Sequence, residues 1–230
     1  MKTKYYFPAA ILFCLFSFIT SLNSQIEYGV KAGAHLGNVQ VVGLVDGILP
    51  LDTRTYIGET FGVFADIPLN NKLSFHPEIN YTSKGFKFSE GIDLNILELP
   101  LNVGFTARTK FNYLEIPLLM KLNFETANGL VPYLMAGPSL NYATSANLRV
   151  RANVIAQITA LNQDIPLGGV NRFNLAGVIG GGVAIPMDNG KLILDARYQH
   201  DLSNTVKTPI IDIAARNRGF AFNIGYALGF

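Results

Sequence analysis

The chain has 230 residues, a formal net charge of +2, three histidines and one cysteine. This length fits a single domain, and so small a charge gives no electrostatic basis for nucleic-acid binding. One cysteine excludes an internal disulfide, and three scattered histidines argue against a clustered metal site.

The first 25 residues stand apart. Lys2 and Lys4 precede an apolar run from Phe7 to Ile19, followed by polar residues to Gln25. That order of charged, apolar and polar regions is that of a secretory signal peptide, with cleavage expected near Ser24 or Gln25. Cleavage would remove Cys14 together with both lysines and leave a mature chain of net charge close to zero. Beyond residue 25 no uninterrupted apolar stretch is long enough for a spanning helix. A membrane-spanning form of this chain must therefore be a closed barrel, which satisfies every backbone group in lipid. The organisation predicted is a signal peptide over 1–25 and one barrel domain over 26–230.

Eight segments alternate with period 2, as strands do. The first, 27–39, sets Tyr28, Val30, Ala32, Ala34 and Leu36 against Lys31 and His35. The second, 56–67, groups Phe61, Val63, Ala65 and Ile67 opposite Thr60, Gly62 and Asp66, with Phe64 on the wrong side for an apolar face. The third, 72–86, alternates Leu73, Phe75, Pro77, Ile79 and Tyr81 with Ser74, His76, Glu78, Asn80 and Thr82. The fourth, 111–124, places Leu114, Ile116, Leu118, Met120 and Leu122 against Glu115 and Lys121. The fifth, 130–143, has Leu134, Ala136 and Leu140 against Tyr133, Met135 and Asn141, and the sixth, 172–186, carries Phe173, Leu175 and Ile179 with many glycines between. The seventh, 191–201, sets Leu192, Leu194, Ala196 and Tyr198 against Asp195, Arg197 and Gln199.

The eighth, Phe220 to Phe230, alternates most regularly: Phe220, Phe222, Ile224, Tyr226, Leu228 and Phe230 on one face, small or polar residues on the other. Its length suits a tilted membrane-crossing strand of ~9–11 residues. Its ending on Tyr226, Leu228 and Phe230 is similar to the C-terminal signal of bacterial outer-membrane barrels. That likeness implies recognition by the barrel-assembly machinery. The segment is expected to pair with 27–39 and so remove both open edges.

Connections after the second, fourth and sixth segments are short, and the others are long, spanning about 40–55, 87–110, 144–171 and 202–217. This parity is that of an outer-membrane barrel with periplasmic turns and longer external loops, both termini being periplasmic. The fold class read from the sequence is all-β: an eight-stranded antiparallel up-and-down transmembrane β-barrel. Pro77, Pro117, Pro132 and Pro138 are expected at bulges or strand ends, since proline cannot donate to the ladder. The external segments 87–110 and 144–171 contain apolar stretches, with 148–161 able to form a short amphipathic helix or a strand extension. They are the candidate contact sites for envelope or secretion proteins, or they extend the wall above the membrane.

The inward positions hold charge. Eight strands leave an interior that side chains fill, and buried charges must pair. Glu78, Glu115 and Asp195 against Lys31, Lys121 and Arg197 are the expected lumen network, read as a polar plug or as an ion path through a narrow pore. For catalysis the sole candidates are His200, Asp201 and Ser203 as a lipid-modifying group; adjacency alone does not make a triad. The Gly180-Gly181-Gly182 run lies in a strand pattern and marks curvature or close packing, not a phosphate loop. Neither catalytic, cofactor-binding nor metal residues are assigned, and no cofactor is implied.

Several stretches resemble the PorT-type outer-membrane β-barrel family of Bacteroidetes. They are Gly29 to Gly33, Leu73 to Gly85, Tyr113 to Lys121, Pro132 to Ser139, Leu194 to Tyr198 and the terminal strand. The Tyr-Leu-Glu-Ile-Pro and Pro-Tyr-X-X-Ala-Gly-Pro runs carry most of the likeness. The resemblance implies an outer-membrane barrel in a Gram-negative cell, in contact with outer-membrane lipid, and an association with protein secretion for the family's namesake alone.

Overall fold

The computed structural model describes residues 26–42, 53–96, 99–153, 157–164, 172–203 and 214–228. The expected signal peptide and Phe230 lie outside these residues. Nine strands follow in order: β1 Glu27–Val42, β2 Thr53–Pro68, β3 Leu73–Ile96, β4 Leu99–Asn123, β5 Val131–Asn153, β6 Gln157–Asp164, β7 Phe173–Met187, β8 Gly190–Asp201 and β9 Ala214–Leu228. All pairings are antiparallel, and β1-β2-β3-β4-β5-β7-β8-β9 form a ring. It closes where β1 meets β9, from Tyr28 opposite Leu228 to Val42 opposite Ala214. The lower half of β5 pairs with β7 and its upper half with β6, so β6 continues the wall above the eight-stranded ring.

Register fixes the barrel's shape. From Ile193 the lateral partners run through Gly225, Lys31, Gly62, Asn80, Glu115, Asn141 and Asn174. Carried two residues past its last pair, Ala176 opposite Asp201, the β7–β8 register sets Asn174 level with Ser203, just beyond β8 and ten residues from the start. Such a stagger requires strands tilted ~35–45° from the axis and an interior that side chains fill.

Alternation sorts the side chains as their chemistry demands, but inside out relative to a soluble protein. Val30, Phe61, Val63, Ile79, Leu134, Ile179, Phe222 and Ile224 are each more than half exposed. The intervening Lys31, Glu78, Asn80, Glu115, Asp195 and Arg197 are buried. A continuous apolar outer surface of this extent has no stable state in water and is satisfied by lipid. Among the described residues no helix is long and apolar enough to cross a membrane.

Phe64, the residue out of pattern, is buried in the lumen directly opposite Gly29 of β1 and stacked on His76, ring centroids 4.9 Å apart. Its ring occupies the space that glycine leaves on the neighbouring strand.

One expectation is corrected in part. The prolines do not mark bulges: Phe64 faces Glu78 and Ile67 faces Phe75, so register is unchanged across Pro77, and Pro117 and Pro138 sit in register within their ladders; Pro132 lies at a strand end as expected, second residue of β5. The irregularities lie instead between Thr55 and Thr60, at Asn112/Tyr113 and at Val150/Arg151. The first two lie at the upper edge of the apolar face, where the outer side chains turn polar and no longer pin the register. Of the two readings given for the external segments, the described residues within 87–110 and 144–164 take the extension of the wall. Lys87 to Ile96 pair with Leu99 to Arg108, and Asn147 to Asn153 pair with Gln157 to Asp164. Of the two forms expected for 148–161, its described residues take the strand extension and not the helix.

Candidate functional site

The lumen is the most chemically organised part of the protein. Its side chains come from strands at fixed two-residue steps, so each partner's height follows from its register. His76 and Glu78 rise from β3, Asp195 and Arg197 from β8, Lys31 from β1, and Glu115 and Lys121 from β4.

The central cluster joins four of the six expected residues. Glu78 accepts from Lys31 Nζ at 2.5 Å and from Arg197 Nη1 at 2.8 Å. Arg197 also forks onto Asp195, Nε to Oδ1 at 2.7 Å and Nη2 to Oδ2 at 2.8 Å. Asn223 Nδ2 donates to Asp195 at 2.7 Å, and Asn80 Nδ2 to Glu78 at 2.8 Å. Two acids thus face two bases, with side-chain amides filling remaining acceptor positions.

The other two residues have partners that the expected network omitted. Lys121 binds Asp66 and lies 4.5 Å from the centre of the Tyr133 ring. His76 connects this pair to the central cluster, Nε2 lying 3.1 Å from Glu78 Oε1 and Nδ1 3.6 Å from Asp66 Oδ2. Glu115 sits higher and pairs with Lys84 at 2.5 Å, while accepting from Thr82 at 2.9 Å and Gln199 at 3.2 Å. Lys84 was legible in principle, being the next inward position after Thr82. Each of these charges has an opposite charge beside it, and Glu78, Glu115 and Asp195 accept further hydrogen bonds from neutral side chains, which is what lets buried charge be tolerated.

Between the central and upper groups lies a cavity of about 20 Å³ lined by Lys31, His35, Asn80, Glu115, Arg197 and Gln199 among others. That is room for about one water molecule. His35 Nδ1 and Asn80 Oδ1, both buried, find no protein partner and supply polar atoms for it.

The suggested catalytic group is not assembled. Asp201 is buried and accepts from Asn174 Nδ2 at 2.5 Å. His200, one residue earlier, lies on the opposite face of β8 and stacks beside Tyr198, ring centroids 6.3 Å apart. Ser203 bonds to Asn174 and accepts from the Leu175 amide at 3.0 Å. Of the terminal residues, Leu228 is exposed on the outer face of β9 and Tyr226 is half-buried on the same face.

No curated protein matches the chain. Among solved structures it is similar to Neisserial surface protein A, with 15% identity, a TM-score of 0.45, and coverage of 87% of this chain and 96% of that one. It is similar also to OprG from Pseudomonas aeruginosa, at 12% identity and TM-score 0.43, covering 89% and 95% of the two chains. For Ail, the attachment invasion locus protein of Yersinia pestis, the values are 12% and 0.39, with coverage of 89% and 100%. The model of the outer membrane protein beta-barrel domain matches residues 19–207, well over half of the sequence. The chain therefore belongs to the outer membrane protein beta-barrel domain family.

Proposed function

We propose that the protein is a non-enzymatic outer-membrane barrel with a sealed lumen, acting in the envelope through contacts made by its raised hairpins. The observation that carries this reading is that β3 and β4 stay paired up to Ile96 opposite Leu99, well past the apolar outer face. β5 and β6 do the same on the adjoining strand. Spanning the bilayer needs ~9–11 residues per strand, whereas β3, β4 and β5 have 24, 25 and 23. The excess forms a preorganised wall, a surface that holds a partner with little ordering cost. The self-compensated lumen supports a plug, not a path for ions.

In this reading the termini are periplasmic, the hairpins are external, and the terminal Tyr226, Leu228 and Phe230 are read by the barrel-assembly machinery. A further role as an accessory to protein secretion has only the PorT-type resemblance behind it; normal surface export after deletion of the gene would exclude that role.

The test is a variant in which 90–105 and 150–161 are replaced by tight turns, assayed for heat-modifiable gel migration and for site-specific crosslinking in intact cells. The expected result is a folded barrel that has lost crosslinks to envelope proteins made by the full-length chain. Unchanged crosslinks and an unchanged deletion phenotype in the shortened variant would defeat the proposal.

A further inference from the structure

Above the apolar face, the outer surface of the wall carries cations in a lateral row. Lys87 of β3 stands opposite Arg108 of β4, which stands opposite Arg149 of β5. Arg151 is one outward step beyond Arg149 along β5, opposite Thr106. By alternation Arg108 lies on the same face of β4 as Leu114 and Ile116, the side that meets lipid. Like charges directly opposite on adjacent strands repel and destabilise the sheet. Among the described residues none of these four cations makes an ion pair, while neighbouring Lys110 is held by Glu59 at 2.6 Å.

The row is also preorganised. Arg108 lies over the Tyr56 ring, 4.5 Å from its centre, and donates from Nη2 to the Tyr56 hydroxyl at 2.9 Å. The four cations line a pocket of about 280 Å³, with Tyr56 and Ile57 at its β2 side. Ile57 is 65% exposed.

We propose that this pocket binds the phosphate of a membrane-lipid head group. Guanidinium groups match phosphate oxygens two at a time, and an ammonium adds a point charge, so Arg108, Arg149, Arg151 and Lys87 form a complementary anion cradle. The phosphate removes the repulsion that the row itself creates. Its source is a lipid and not free phosphate for two reasons: the pocket opens on the lipid-facing side just beyond the apolar surface, and exposed Ile57 beside the cations suits an amphiphile. The inference requires the outer-membrane placement but not any partner of the hairpins.

The experiment uses the folded mature chain in phosphatidylcholine vesicles with and without fluorescent phosphatidic acid, counting labelled lipid retained per barrel. Retention is expected to exceed that of labelled phosphatidylcholine by about tenfold or more and to fall as salt is raised. The pair Arg108→Gln/Arg149→Gln should abolish the preference. Arg149→Glu should abolish it too while keeping the fold, because it gives Arg108 a carboxylate partner within the sheet. Lys72→Gln, in the short turn at the opposite end, should leave it intact. Full preference in folded Arg149→Glu would overturn the site. Displacement of the labelled lipid by inorganic phosphate at equal concentration would overturn the assignment to a lipid.

Discussion

Tyr133 on β5 stands directly opposite Gly182 on β7, and the glycine is what gives the tyrosine room. A Cβ at Gly182 would lie 2.6 Å from the Tyr133 hydroxyl oxygen and 2.7 Å from Cζ. Phe64 opposite Gly29 repeats the arrangement, with a Cβ only 2.2 Å from the ring. The two aromatic rings therefore fill the lumen over bare stretches of adjacent strands. Gly182→Val and Gly29→Val are each expected to destabilise the barrel by ~1–3 kcal/mol or more through overpacking. Urea unfolding in micelles, followed by the heat-modifiable gel shift, measures this. Adding Tyr133→Leu to Gly182→Val should restore part of the loss.

Glu78 is the acid shared by Lys31, Arg197 and His76. Glu78→Gln leaves two buried cations facing one remaining carboxylate, Asp195. Breaking a buried pair from one side typically costs ~3–5 kcal/mol. The same urea titration should show a lower midpoint for this variant. The double change Glu78→Gln/Lys31→Met removes one acid and one base together and should recover most of that stability. Equal midpoints for wild type and Glu78→Gln would show that the cluster is not coupled to folding.

On the outer face the sign of polarity reverses. Ile224, halfway along the apolar run of β9, is 54% exposed. Ile224→Arg should cost ~2–4 kcal/mol, the penalty for arginine on a barrel's lipid face near mid-membrane. Refolding into vesicles measures it. Lys72→Arg in the exposed turn serves as the control expected to change nothing.

The proposal of a sealed lumen is tested in planar bilayers. Wild-type protein should give no conductance steps, since its charges pair and its central cavity holds about 20 Å³. Replacing Lys31, Glu78 and Arg197 together by alanine removes the central ion pairs and should produce small steps. Steps from wild type would turn the reading towards a pore.

Phe230→Ala tests the terminal residues independently of fold stability. If Tyr226, Leu228 and Phe230 are read during assembly, the variant should accumulate unassembled in cells yet refold normally from urea in detergent. Equal defects in both settings would assign the residue a packing role.

The sequence carried the ring of strands because each wall residue sees either lipid or lumen, and two unlike environments impose a period of 2. Val30 and Lys31 are neighbours in the chain with opposite surroundings. Above the apolar face both sides of a strand meet water, the contrast disappears, and 87–96 and 99–110 read as loop although their backbones stay paired. The pairings within the lumen were harder to read for another reason. Alternation places Lys121 and Glu115 inside but says nothing about height, and height depends on a stagger accumulated over the whole ring. Hence Lys121 meets Asp66 and Glu115 meets Lys84, pairs that no local pattern distinguishes from other inward charges.

The seam between β1 and β9 sets the order of events in making this protein. Tyr28 and Leu228 are direct neighbours across it, near opposite ends of the chain. Contacts of such separation bring little reward until every intervening strand is in place, so closure must be slow and late. A ribosome releases β1 long before its partner exists, and over that interval both edges of the growing sheet offer unpaired amides and carbonyls. The finished ring has no edge to protect, but the unfinished one has two, each open to pairing with another chain until closure.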